Sequence, residues 1–154
     1  MAEITVGKKA PSFTLTAGDG KKYSLKDFLG KKIVLYFYPK DDTSGCTKEA
    51  CSFRDNLSTI KKKGAVVIGV SPDAVKSHVK FSSKYDLNFP LLSDESKEML
   101  TAYGVWQEKS MYGRKYMGVV RTTFVIDEQG KISHIFPKVK VDGHAVEVLK
   151  ALSE

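Results

Sequence analysis

The run IVLYFYP, from Ile33 to Pro39, constrains this chain more than any other stretch. It is almost continuously apolar, rich in β-branched and aromatic residues, and it stops at a proline. A strand exposed to water on one face alternates apolar with polar residues; a run without that alternation belongs to a strand covered on both faces. Covering both faces requires a layer on each side of this strand.

The segments on either side supply the layers. CTKEACSFRDNLSTIKKKG turns helical after the strand: Ala50, Phe53, Leu57 and Ile60 step by three and four into one apolar stripe, with Gly64 as the stop beyond the lysines. AVVIGVS, residues 65–71, is a second buried strand. SPDAVKSHVKFSSKY reads as a helix with Ser71 as N-cap and Pro72 in its first position. FPLLSDESKEMLTAYG predicts a short strand, a cap at Ser93 or Asp94, and a helix ending at Gly104. VVRTTFVIDEQGKISHIFP predicts a hairpin turning at residues 127–130, and GHAVEVLKALSE a closing amphipathic helix. Near the start, SFTLT and KKYSL flank Gly18-Asp19-Gly20 as a small hairpin, followed by a short LKDFLG helix. The order predicts an α/β, thioredoxin-like fold: a central mixed sheet flanked by helices, right-handed crossovers, and an extra N-terminal β-hairpin. No repeat or linker divides the chain, so residues 1–154 read as a single domain.

Composition narrows the function classes. The formal charge is +7, but the lysines come in short runs at helix ends and turns, where cations suit the helix dipole, so no nucleic-acid partner is expected. No apolar run approaches the roughly 20 residues of a membrane span. The stretch MAEITVGKKAPSF lacks the pattern of a signal peptide, and a cytoplasmic setting is expected. The three histidines, His78, His134 and His144, stand singly, and none has metal-ligand spacing to a cysteine; neither metal nor cofactor is expected. Only two cysteines occur, Cys46 and Cys51, both in PKDDTSGCTKEACSF. A close pair in a reducing compartment points to catalysis, redox sensing or metal binding rather than to a structural disulfide.

Cys46 falls in the first turn of the helix after the long strand. Unpaired N–H groups there carry partial positive charge and favour a thiolate. An ordinary thiol is about 3% thiolate at pH 7, and a pKa of about 6 would raise that to about 90%. The gain is at most about thirtyfold, and weaker nucleophilicity offsets part of it. A fast reaction therefore also needs a group that stabilises charge on whatever is attacked. Thr43 and the local N–H groups could form an anion-binding loop, with Pro39 as a shield. The same residues read equally as an ordinary Thr cap after a strand-ending proline. Asp41 and Asp42 read as charges complementing the helix start. Arg121 alternates with Val119, Thr123 and Val125, and taken alone could be an edge-strand arginine bending to water.

Pro39-x3-Thr43-x2-Cys46 resembles the P-x-x-x-T/S-x-x-C signature of peroxiredoxins, thiol peroxidases on a thioredoxin fold. A second cysteine five residues on is similar to their Q-type branch, also called bacterioferritin comigratory proteins. GKKAPSFTL, VIGVSPD, YGVWQEK and RTTFVID extend the resemblance over nearly the whole chain. The resemblance implies Cys46 as peroxidatic nucleophile, Thr43 as a hydrogen-bond partner of the peroxide and Pro39 as a shield. It also implies Arg121 as the guanidinium holding thiolate and peroxide, Glu49 as the residue orienting Arg121, and Cys51 as the resolving cysteine. The implied partners are a hydroperoxide substrate and thioredoxin or a similar dithiol reductant, acting on a monomer. A general thiol-disulfide oxidoreductase would prefer its cysteines two residues apart; a non-enzymatic redox sensor would use the same sulfenic acid as a signal.

The spacing adds a constraint of its own. Five helical residues rise about 7.5 Å and turn about 500°, which puts the two Cα atoms about 8–9 Å apart with side chains diverging. A disulfide needs about 7 Å or less. If both cysteines are helical, that helix must unwind locally to join them.

Overall fold

The computed structural model describes residues 4–153. Strand β3, Lys32–Phe37, lies at the middle of a five-stranded sheet. On one side it pairs in parallel with β4, Ala65–Ser71, which pairs in parallel with β5, Leu91–Ser93. On the other it pairs antiparallel with β8, Thr122–Ile126, which pairs antiparallel with β9, Ile132–Phe136. The mixed sheet and the thioredoxin-like α/β architecture are as the sequence predicts.

The apolar run at β3 divides by parity between two cores. Ile33, Leu35 and Phe37 join Ile68, Val70, Leu92 and Phe124, beneath the N-terminal segment and helix α3, Glu98–Ala102. Val34, Tyr36 and Tyr38 face the other way, toward helix α1, Ser44–Lys62, Phe81 of helix α2, Val75–Tyr85, and helix α4, His144–Leu152. Both faces of the strand are dry because each is covered by a separate layer. The expected N-terminal hairpin is present as β1, Thr14–Thr16, and β2, Lys22–Ser24; the short helix after it is a single 3-10 turn, Leu25–Phe28.

Three local expectations need correcting. Helix α2 begins at Val75 with Ala74 as N-cap, while Ser71 remains in β4. The Ser71 hydroxyl donates to Asp73 Oδ2 (2.6 Å), and that carboxylate also accepts from the Asp41 N–H (2.8 Å), so residues 71–73 are held as a loop. Helix α3 is only five residues long and starts after Lys97, which has φ +63°. The expected cap Asp94 instead accepts from the Leu100 N–H (2.8 Å) from a buried position. Third, residues 106–119 form a hairpin that sequence pattern alone missed: β6, Trp106–Met111, and β7, Arg114–Val119, a two-stranded sheet of their own. Its two-residue turn, Tyr112-Gly113, has φ +52° and +77°, as a type I′ connection requires. Both faces of this ribbon are largely exposed, so no apolar alternation marks it. Among the described residues, no helix is long and apolar enough to cross a membrane.

Gly69 of β4 sits opposite Tyr36 of β3. A Cβ there would lie 2.9 Å from the Tyr36 hydroxyl and 2.8 Å from Leu91 Cδ2. The Tyr36 ring cannot easily yield, because Tyr38, Phe53 and Phe89 pack around it. Gly69→Ala should therefore destabilise the fold by about 1–3 kcal/mol, the usual cost of overpacking a dense core, measurable as a lower midpoint in urea.

Candidate active site

Strand β3 delivers the chain to the site. The Tyr38 N–H donates to the Val70 carbonyl (3.0 Å), continuing the ladder by one residue, and the half-buried Pro39 follows. The loop from Lys40 to Thr43 is then pinned by Asp41. Its carboxylate, buried, accepts from the Tyr38 hydroxyl (2.5 Å) and the Ser77 hydroxyl (2.7 Å) and meets His78 Nδ1 (2.7 Å). His78 Nε2 donates to the Leu92 carbonyl (2.9 Å). With one ring nitrogen given to a carbonyl, a proton must lie between Nδ1 and Asp41. Asp41, Asp73 and His78 have the proximity of a metal site, but these bonds commit both imidazole nitrogens. The cluster is an anchor for the loop. Asp41 and Asp42 precede the N-cap of α1, as expected, and each carboxylate also has a partner outside α1: Asp41 turns inward to His78, and Asp42 pairs with Lys84 (2.8 Å).

Thr43 stands at the N-cap of α1 with extended backbone, but its hydroxyl makes no capping bond. It donates instead to the Lys40 carbonyl (2.9 Å). With its proton committed there, the oxygen is left as an acceptor. Cys46 lies in the first turn, as expected, and is 1% exposed. Glu49, one turn on and on the same side of the helix, is equally buried.

Arg121 reaches these two residues from the short link between β7 and β8. Its Nη2 donates to Cys46 Sγ (3.1 Å) and its Nη1 to Glu49 Oε1 (2.6 Å). The alternation expected through Val119 breaks here. Val119 packs in the core on the far face of the sheet, while Val125, one face with Arg121, packs in the core that holds Cys46. Gly45 matters to the approach: a methyl there would sit 3.3 Å from Arg121 Nη2. Cys51 lies on the same helix, half-buried, with its thiol free like that of Cys46.

Burial governs the charges. It pushes the Glu49 carboxyl up to about 7, against the pull of Arg121. Burial works to lower the Arg121 pKa, but Glu49 and Cys46 hold it above the ordinary arginine value. Glu49 Oε2 and the Tyr36 hydroxyl are both buried without a hydrogen-bond partner, and burial together with Glu49 raises the Tyr36 pKa well above the usual phenol. Behind Arg121, His144 Nε2 meets the Thr123 hydroxyl (2.8 Å) and its Nδ1 meets Glu147 (2.7 Å). Burial holds its pKa below the ordinary imidazole value, with Arg121 adding to the effect. His78 and His144 escape a reading by spacing, because Asp41 and Thr123, which they meet here, lie 37 and 21 residues away in the chain.

Comparison with known proteins shows the family to which the chain is similar. The AhpC/TSA family matches residues 6–135. The putative peroxiredoxin Bcp of Coxiella burnetii is 56% identical over 149 residues, covering 97% of this chain and 99% of its own length. Peroxiredoxin Bcp of Escherichia coli is 44% identical over 154 residues, covering 100% and 99%. Among solved structures, the Xanthomonas campestris bacterioferritin comigratory protein, described for its alkyl peroxide reduction activity, superposes with a TM-score of 0.91. It is 39% identical and covers 97% of this chain and 98% of its own.

The raised Glu49 pKa carries a sign. A carboxyl that binds its proton more tightly when folded stabilises the fold at low pH, and that contribution is lost as pH rises through about 7. Between about pH 5 and 8 the wild type should lose stability relative to Glu49→Gln, with a slope no steeper than about 1.4 kcal/mol per pH unit. Paired urea titrations across that range measure it; parallel pH profiles would refute it.

Proposed function

The chain belongs to the AhpC/TSA family and is a thiol-dependent peroxidase of the peroxiredoxin class; we propose that Cys46 is its peroxidatic nucleophile and Cys51 its resolving cysteine. The observation that carries this reading is the Arg121 guanidinium held between Cys46 Sγ (3.1 Å) and Glu49 Oε1 (2.6 Å). A planar, permanently charged donor fork suits a transition state in which charge spreads from sulfur over two oxygens.

In this reading the Cys46 thiolate attacks one oxygen of a hydroperoxide in line with the O–O bond. The other oxygen leaves and takes up a proton as water or an alcohol, and Cys46 becomes a sulfenic acid. Arg121 steadies the sulfur and the peroxide oxygens, and Glu49 keeps the guanidinium turned toward them. Thr43, its own proton committed to Lys40, offers its oxygen as acceptor to the peroxide O–H. Pro39, half-buried where β3 ends, screens the pocket from bulk water. Hydrogen peroxide and organic hydroperoxides are the proposed substrates; the alkyl peroxide reduction described for the Xanthomonas campestris relative supports the second.

Resolution follows when the Cys51 thiol condenses with the sulfenic acid, forming the disulfide and releasing water. Both cysteines belong to the uninterrupted helix α1, so its first turns must unwind before the sulfurs can meet. A dithiol reductant, proposed to be thioredoxin, then reopens the disulfide by exchange. Because the resolving cysteine is in the same chain, the cycle needs no second copy, and a monomer acting in the reducing cytoplasm is the simplest form.

Peroxide consumption with thioredoxin and its reductase tests the assignment. Cys46→Ser should abolish turnover, and substantial residual activity would overturn it. Cys51→Ser should oxidise once at Cys46 and then fail to cycle; normal cycling would remove Cys51 from its role. Arg121→Lys should keep the charge but lose the fork, slowing the oxidation step by roughly a hundredfold.

A further inference from the structure

Residues 43–53, which carry both cysteines, are bracketed by two contacts to one residue of α2. Before the segment, the Tyr85 hydroxyl donates to Asp42 Oδ1 (2.8 Å), and the neighbouring Lys84 Nζ donates to Asp42 Oδ2 (2.8 Å). After it, Arg54 Nη1 donates to the Tyr85 carbonyl (2.5 Å). That carbonyl closes α2, whose next residue, Asp86, is left-handed. It is one of the last-turn acceptors with no partner inside their own helix, and the Arg54 guanidinium also suits the negative end of the α2 dipole. Tyr85 itself is anchored, its ring edge-on to Phe81 at 5.5 Å.

We propose that Tyr85 is a positioning residue for resolution: with Lys84 and Arg54 it clasps both ends of the Cys46–Cys51 segment and sets how readily α1 unwinds. This rests on the proposed roles of the two cysteines. Asp42 is the point that matters. Its backbone is left-handed, with φ +58°, which is uncommon for a residue other than glycine. It stands immediately before the N-cap of α1, so holding its carboxylate holds the chain in the conformation from which the helix starts. When the first turns open, that conformation is no longer required and the clasp resists the change. Attack on peroxide takes place in the wound state, where the clasp is closed, and does not draw on it.

The consequence is a partition. The sulfenic acid at Cys46 either loses water with the Cys51 thiol, forming a disulfide, or meets a second peroxide and becomes a sulfinic acid as that peroxide is reduced to water or an alcohol. Slower opening lengthens its life and favours the second branch.

Tyr85→Phe removes the hydroxyl and keeps the ring. One hydrogen bond of this kind is worth about a two- to tenfold change in an opening equilibrium. The variant should form the disulfide faster by that factor, and should need about that much more peroxide to become over-oxidised, with its rate of oxidation by peroxide unchanged. Mass spectrometry of rapidly quenched samples reads the products, and amide exchange over residues 44–53 in the reduced protein should speed up by a similar factor. Asp42→Ala removes the acceptor itself, so its effect and that of Tyr85→Phe should be less than additive. An unchanged resolution rate with unchanged exchange would overturn the clasp, as would equal changes in oxidation and resolution. A wild-type protein that forms no Cys46–Cys51 disulfide would refute the resolving role of Cys51, while exchange in the reduced protein still decides whether Tyr85 restrains α1.

Discussion

A guanidinium taken largely out of water has to be paired, and the arrangement around Cys46 follows from how Arg121 meets that demand. Its partner is Glu49, a carboxylate that burial would rather leave protonated. The two lie 72 residues apart in the chain, one in α1 and one in the link before β8. Only the sheet brings them together, because β3 feeds α1 and also pairs directly with β8. The ion pair therefore measures whether the fold is correctly closed. The second guanidinium nitrogen is left for the sulfur of Cys46.

Helix α1 carries two opposed requirements. Its apolar stripe, Ala50, Phe53, Leu57 and Ile60, is buried against the sheet, and that burial holds the helix wound and Cys46 covered. A disulfide between Cys46 and Cys51 demands the reverse over the first turns. The contacts divide accordingly. Leu57 and Ile60 secure the C-terminal half of α1 in the core, while the first turns, which also bury Cys46 and Ala50 there, are held in addition by polar contacts at Asp41, Asp42 and Arg54. Polar contacts of this kind cost little individually to release, so opening can leave Leu57 and Ile60 in the core.

Much of this was legible beforehand. The β3 run announced a strand dry on both faces, and parity split it between two cores as that reading requires. The five-residue gap between the cysteines stated a geometric conflict that α1 embodies. Other parts were hidden for identifiable reasons. Ser71 reads as a helix cap because local propensity favours it, yet Asp73 and Asp41, 32 residues apart, claim that turn. The ribbon at residues 106–119 has no dry face and so left no period to read. Asp41 looked like a helix-dipole charge, and its partner His78 like an isolated histidine, until α2 packed beside the loop.

The sequence by itself determined the things that depend on nearest neighbours: which runs are buried strands, which helix faces are apolar, that Cys46 begins a helix, and that Cys51 is wrongly placed to reach it within one. Resemblance added the roles expected of Pro39, Thr43, Glu49 and Arg121. Only the tertiary structure decided which charges are buried and what each one meets. Desolvation and hydrogen bonding depend on atoms brought from far along the chain, and no spacing between residues records them. That is why Arg121 could be read either as a surface residue or as the partner of Cys46 until β8 was set beside β3.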